Sequence, residues 1–182
     1  MSLLNVSENR NCFTDEKMIE SLKRLEDFEI YHCLLKGSLS SSIKAASCLE
    51  YAPQNFLTWA KVCDGGLLFD TVLLSSKNHD ADLDLDFDSF EDCNSQAFRD
   101  DTNLENRFSV FAIRSYGDPL CFDKVAKDGK VYLWNREDKC VDAVWDSFED
   151  WLADEIDSAI QLIAEDALEP LEIKLDGDSD DA

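Results

Sequence analysis

The chain is poor in residues that break or bend a backbone, with six glycines and three prolines among 182 residues. That composition excludes collagen-like and Pro/Gly-rich linker architectures, and it makes each of the few Gly and Pro positions informative. Histidine is scarcer still, with His32 and His79 only, so a His-rich metal tract is excluded. His32 falls among apolar residues of an expected helix, which predicts a structural role; His79 sits beside Asp80 in a polar stretch, which predicts a solvated one. Positive charge is also short: 17 Lys and Arg face 40 Asp and Glu, for a net charge of -23. Such a chain is repelled by nucleic acid and by anionic membrane surfaces, and is steered toward basic proteins. No apolar run approaches the roughly 20 residues of a membrane helix. No charged-then-apolar signal segment opens the chain, so a soluble protein of the reducing cytoplasm is expected. P-loop, dinucleotide-binding and nucleophile-elbow motifs are missing, and Gly65-Gly66 alone is too little for a phosphate cradle.

What is present is the material of a globular core. The hydrophobic fraction is 45%, with eleven Phe, and the length suits one domain. Seven cysteines, at 12, 33, 48, 63, 93, 121 and 140, form no CxxC and lie at least fifteen positions apart. They predict buried free thiols, with neither a disulfide framework nor a local zinc site. No metal, cofactor or catalytic residue is expected.

Along the chain, residues 1–13 read as a loose N-terminal segment, 14–170 as one domain with an acidic insert at about 75–106, and 171–182 as an acidic tail. Thr14-Asp15-Glu16 opens a helix that carries Met18, Ile19, Leu22 and Leu25 on one side and stops at Gly37. Ser40-Ser41-Ser42 caps a second, short helix through Leu49. Pro53 fits the first turn of a third, which turns Phe56, Leu57, Trp59, Ala60 and Cys63 inward before Asp64-Gly65-Gly66. Leu67 to Leu74 predicts a single buried strand. Arg107 to Ser115 has period two, Tyr116-Gly117-Asp118-Pro119 turns the chain, and Asp128-Gly129 predicts a tight hairpin into Val131–Trp134. Ser147, with Asp150 three residues on, opens a long helix whose apolar face includes Phe148, Trp151, Leu152, Ile156 and Ala159, running to about Leu168 before Pro170. Helices, then a meander of strands, then a closing helix is an α+β order.

One segment has the spacing of a cation loop. Asp80, Asp82, Asp84, Asp86, Asp88 and Glu91 occupy positions 1, 3, 5, 7, 9 and 12 of a calcium frame. Position 6 is Leu85, where such a loop needs Gly. Leu83, Leu85 and Phe87 alternate with the aspartates, the pattern of a solvated acidic edge or of a partner-docking segment, and these readings stay open beside calcium.

Four pieces resemble the SMI1/KNR4 family, also called the SUKH superfamily, over roughly residues 40–160. They are Pro53-Gln-Asn-Phe-Leu-Thr-Trp-Ala-Lys-Val-Cys-Asp-Gly-Gly66, Tyr116-Gly-Asp-Pro-Leu-Cys-Phe-Asp123, Gly129-Lys-Val-Tyr-Leu-Trp134 and Ser147-Phe-Glu-Asp-Trp-Leu152. Asp64 stands where the family usually has Asn, and residues 75–106 lack an obvious counterpart. The resemblance implies an α+β fold with a curved, mainly antiparallel sheet and flanking N-terminal and C-terminal helices. It makes Pro53, Gly65, Gly66, Gly117, Asp118, Gly129, Trp134, Ser147 and Trp151 structural motif residues. It also implies binding rather than catalysis: immunity proteins that neutralise polymorphic or contact-dependent toxins in bacteria, or cell-wall-synthesis regulators acting through protein contacts in fungi. A basic toxin domain of nuclease or deaminase type is the partner that the acidic charge fits. Asp84, Asp86, Asp88, Glu91 and Asp92 are the candidate contact residues.

Overall fold

A computed structural model describes residues 4–9, 12–28, 31–36, 51–76 and 89–171. In chain order the elements are α1 (Val6–Asn9), α2 (Glu16–Glu26), β1 (His32–Lys36), α3 (Gln54–Val62), β2 (Cys63–Leu68) and β3 (Thr71–Leu73). They continue with α4 (Phe90–Cys93), α5 (Gln96–Thr102), β4 (Phe108–Arg114), β5 (Pro119–Asp123), β6 (Val131–Asn135), β7 (Cys140–Trp145) and α6 (Phe148–Ala164). The strands form one open seven-stranded sheet in the order β1-β2-β3-β4-β5-β6-β7. Every neighbouring pair is antiparallel. This is the expected α+β class, with a helix near each end of the chain.

Rings cover both faces of the sheet. On one, Phe111 stacks on Phe122 with centroids 4.5 Å apart, Phe56 of α3 closes on both, and Phe148 of α6 packs on Phe111 and Phe56. Trp151 meets Phe111 edge-on at 5.3 Å. Offset and edge contacts of this kind contribute about 0.5–1.5 kcal/mol each beyond area burial. On the other face Phe108 packs against Tyr132 and Trp134, and the Trp134 indole donates to the Thr102 carbonyl of α5 at 3.2 Å. Phe111 has no partner in β5, since Val110 pairs with Cys121 and Ala112 with Leu120. The bulge bends β4 and re-aims this ring into the helix-covered core.

Several expectations need correction. The first helix ends at Glu26, and His32 to Lys36 pair with β2 instead. Cross-strand pairing overrides the local apolar pattern there. His32 is accordingly a buried strand residue, its Nε2 lying 3.1 Å from the Leu25 carbonyl. The single strand over Leu67–Leu74 is a hairpin split at Phe69-Asp70. Phe69 adopts φ 55°, a value that favours glycine, and its buried ring holds it there. The connection after β5 is not a tight Asp128-Gly129 turn but runs from Lys124 to Lys130. Asp123 organises it by accepting from the Val125 and Ala126 amides. The closing helix stops at Ala164, short of Leu168.

The N-terminal segment 1–13 departs from the loose leader expected of it: Leu4, Val6 and Phe13 are buried in the core. Much of the insert over 75–106 is built into the fold rather than looping away. Phe90, Cys93, Arg99, Thr102 and Leu104 are buried. Asn94 uses its side-chain amide as a strand would, accepting from the Val110 amide and donating to the Val110 carbonyl. Arg99 donates to the carbonyls of Glu105 and Phe108. The helix expected over Ser40–Leu49 and the tail from 172 lie outside the described residues.

Candidate partner-binding surface

The motif residues are scattered through the scaffold rather than gathered at a site. Pro53 caps α3 in an extended conformation. Gly65 and Gly66 lie inside β2 with φ 83° and 131°, where a Cβ on Gly66 would fall 2.2 Å from the Cys33 carbonyl oxygen. Gly117 takes φ 94° in the β4–β5 turn, and Asp118 accepts from the Arg136 amide at 3.2 Å. Gly129 sits in the β5–β6 connection with φ 75°. Ser147 caps α6: its Oγ accepts from the Asp150 amide and donates to the Asp150 carboxylate. Trp134 and Trp151 are buried, so both are packing.

Of the candidate contact residues, Asp84, Asp86 and Asp88 lie outside the described residues, together with the rest of the calcium frame before Glu91. Glu91 and Asp92 occupy the first turn of α4, both exposed. Asp92 also serves its own helix, accepting from the Ser89 hydroxyl at 2.7 Å. Among the described residues no group of three or more His, Cys, Asp or Glu is placed to hold a metal ion.

The surface electrostatics are more telling than any single cluster. Lys17 pairs with Asp150, Arg24 with Asp157, Lys130 with Asp146, Arg107 with Glu105 and Asp123, and Arg136 with Asp118. Lys127 lies over the Tyr51 ring. Much of the scarce positive charge is thus spent within the chain, and excess carboxylates face outward. Asp100, Asp101, Glu105, Asp128, Glu137, Asp138, Asp142, Asp146, Asp154 and Asp157 are all exposed.

Several of these border β7, a strand that the local sequence pattern between Asn135 and Trp145 does not predict. The signal was there in weak form: Val141, Ala143 and Trp145 are half-buried and alternate with exposed Cys140, Asp142 and Val144. β7 ends the sheet, paired with β6 alone among the described strands. Leu133 pairs with Ala143 and Trp134 with Val141, so Asp142 bulges without a partner in β6. The opposite edge differs, because the Leu4 amide donates to the Leu34 carbonyl of β1 at 2.8 Å.

Three buried charges lie inward of this surface. Arg114 donates to Glu155 at 2.6 Å, and Thr71 donates to the same carboxylate oxygen at 2.7 Å. The second Glu155 oxygen is buried without a hydrogen-bond partner. Burial pushes the Glu155 carboxyl up, and Arg114 pulls it back. Glu149, in the first turn of α6, is raised by burial and by the Asp15 and Asp150 charges. The half-buried Tyr132, whose hydroxyl donates to Asp128 at 2.7 Å, is pushed up to about 12 by partial burial and the Asp128 carboxylate. Arg114, Glu155 and Glu149 brace the scaffold.

An open antiparallel sheet flanked by helices, with an acidic exterior, defines an α+β scaffold. The match to known families is specific: the chain belongs to the SMI1 / KNR4 family (SUKH-1), whose profile matches residues 52–154. No curated protein and no solved structure matches the chain.

Proposed function

We propose that this chain is a non-catalytic protein-binding module of the cytoplasm, acting as an immunity protein that covers the basic active-site groove of a toxin domain. A nuclease or a nucleic-acid deaminase is the toxin class meant. The observation that carries this reading is the net charge of -23 combined with the internal pairing of the scarce cations. A toxin that grips nucleic acid presents cationic side chains along its groove, and an acidic scaffold meets them with fast, steered association. Family membership supports a binding role. No helix among the described residues is long and apolar enough to cross a membrane, which is compatible with that location.

The test is co-expression with any toxin domain encoded beside the gene, scored by survival, followed by calorimetry on the purified pair. Protection is expected, with affinity falling at least about tenfold between low and high salt as screening shortens from about 10 Å to about 3 Å. Absence of both protection and binding would overturn the reading. Recovery of several host signalling proteins in its place would move the chain to the regulatory, cell-wall-synthesis branch of the family.

A further inference from the structure

We propose that the outer edge of β7 (Cys140–Trp145) is a docking edge that takes an extended, lysine- or arginine-bearing segment of a partner protein as an added antiparallel strand. The inference rests on reading the chain as a protein-binding module, and it names the place and chemistry of the contact. An edge strand offers a row of backbone donors and acceptors to any strand that can approach it. The two edges of this sheet are treated differently. β1 gives its Leu34 carbonyl to the Leu4 amide, whereas β7 has no described strand beyond it.

The side chains along β7 decide what can approach. From Glu137 to Asp146 the exposed ionised groups are Glu137, Asp138, Asp142 and Asp146 against Lys139, with Arg136 turned to Asp118 and Asp146 already paired with Lys130, which leaves Glu137, Asp138 and Asp142 in excess. Asp142 stands on the bulge, freed from pairing with β6. Asp154 lies alongside, accepting from the Trp145 indole at 2.9 Å. Val144 supplies the one exposed large apolar side chain of the strand, at 49% exposure. A second copy of the chain would bring the same carboxylates against these, and each copy carries a charge of -23. Like charges at such an edge oppose self-pairing. A segment alternating cationic and small β-branched residues meets carboxylates with its charges and Val144 with its methyls.

The experiment uses the full chain, isotopically labelled, and two blocked octapeptides, one alternating lysine with threonine and one alternating glutamate with threonine. The lysine peptide is expected to produce saturable shifts centred on Cys140–Trp145 and to slow exchange of alternate amides there. The glutamate peptide is expected to do neither. Asp142→Lys should weaken the lysine peptide by about tenfold, while Asp27→Lys, an equal charge change at an exposed position beside the opposite edge strand β1, should weaken it less than about twofold. Asp142 is exposed, so folding should survive; Val144→Lys is the second variant if it does not. Equal losses from Asp142→Lys and Asp27→Lys would overturn the proposal, as would shifts spread over the whole acidic surface. So would a β7-mediated dimer in sedimentation at high salt. Toxin protection with β7 amides unmoved would sink this proposal and spare the immunity reading; peptide addition without any toxin partner would do the reverse.

Discussion

Arg114 at the end of β4 and Glu155 in the middle of α6 form an ion pair at 2.6 Å, with their side chains 15% and 2% exposed. It ties the sheet to the closing helix, with Thr71 of β3 as the third member. Truncating one partner should be far worse than replacing both. Arg114→Met leaves a buried carboxylate uncompensated and should cost about 3–5 kcal/mol. Arg114→Met combined with Glu155→Leu should come back to within about 2 kcal/mol of the parent. Chemical denaturation of the three proteins measures both, and additive losses would refute the coupling.

Glu149 carries the pH prediction. Its carboxyl is raised in the folded state by burial, then by Asp15 and Asp150, so ionising it disfavours folding. Its contribution is therefore favourable at low pH and is lost as pH rises through the folded value. Glu149→Gln should raise the melting temperature at pH 7 and have little effect near pH 4. Asp150 works in the opposite sense: Lys17 and Ser147 lower its carboxyl, so its stabilisation is lost as pH falls. Melting curves of Glu149→Gln and Asp150→Asn between pH 4 and pH 7 should move in opposite directions relative to the parent.

Gly66 and Gly129 both have positive φ, yet their tolerance should differ. A Cβ on Gly66 meets the Cys33 carbonyl oxygen at 2.2 Å, backbone that cannot move aside without parting β1 from β2. Gly66→Ala should cost about 3 kcal/mol or more. A Cβ on Gly129 would find only Pro53 at 3.8 Å, so Gly129→Ala should cost about 1 kcal/mol, the conformational penalty alone. Thermal unfolding of the two variants compares them directly.

Thiol labelling is a check on the core. Cys33, Cys63, Cys93 and Cys121 are buried, and burial pushes the thiols of Cys33, Cys63 and Cys121 up. Cys12 and Cys140 are exposed. Brief alkylation of the native protein near pH 8, read by peptide mass spectrometry, should modify Cys12 and Cys140 and spare those four.

The parts of the fold legible in the sequence were those carried by local signals. Ser147 with Asp150, and the helical spacing from Phe148 to Ala159, marked α6 almost to its first residue. Pro53 did the same for α3. What escaped depended on distant partners. β1 reads as helix until β2 is there to pair with it, and Phe69-Asp70 turns the chain without turn chemistry because a buried ring steadies an unfavourable φ. β7 has half-buried residues on one face and exposed ones on the other, so its hydrophobic alternation is faint. Of the candidate site, Glu91 and Asp92 were visible as exposed carboxylates, but an edge is a property of the sheet and has no local spelling. Asn94 and Arg99 were illegible for the same reason, since their importance lies in the β4 backbone groups that they hold.

The clasp of α2 on α6 bears on how the family segment can be handled. The matched residues, 52–154, begin after β1 and end inside α6. Met18, Leu22 and Leu25 of α2 are buried in the common core, and Lys17 and Arg24 reach across to Asp150 and Asp157. Ile156 and Ala159, just past the matched stretch, are buried too. Cutting the chain at the family limits would strip this cover and uncover a second raw strand edge at β2. The portable unit for grafting, crystallisation or domain fusion is therefore longer at both ends than the shared family segment.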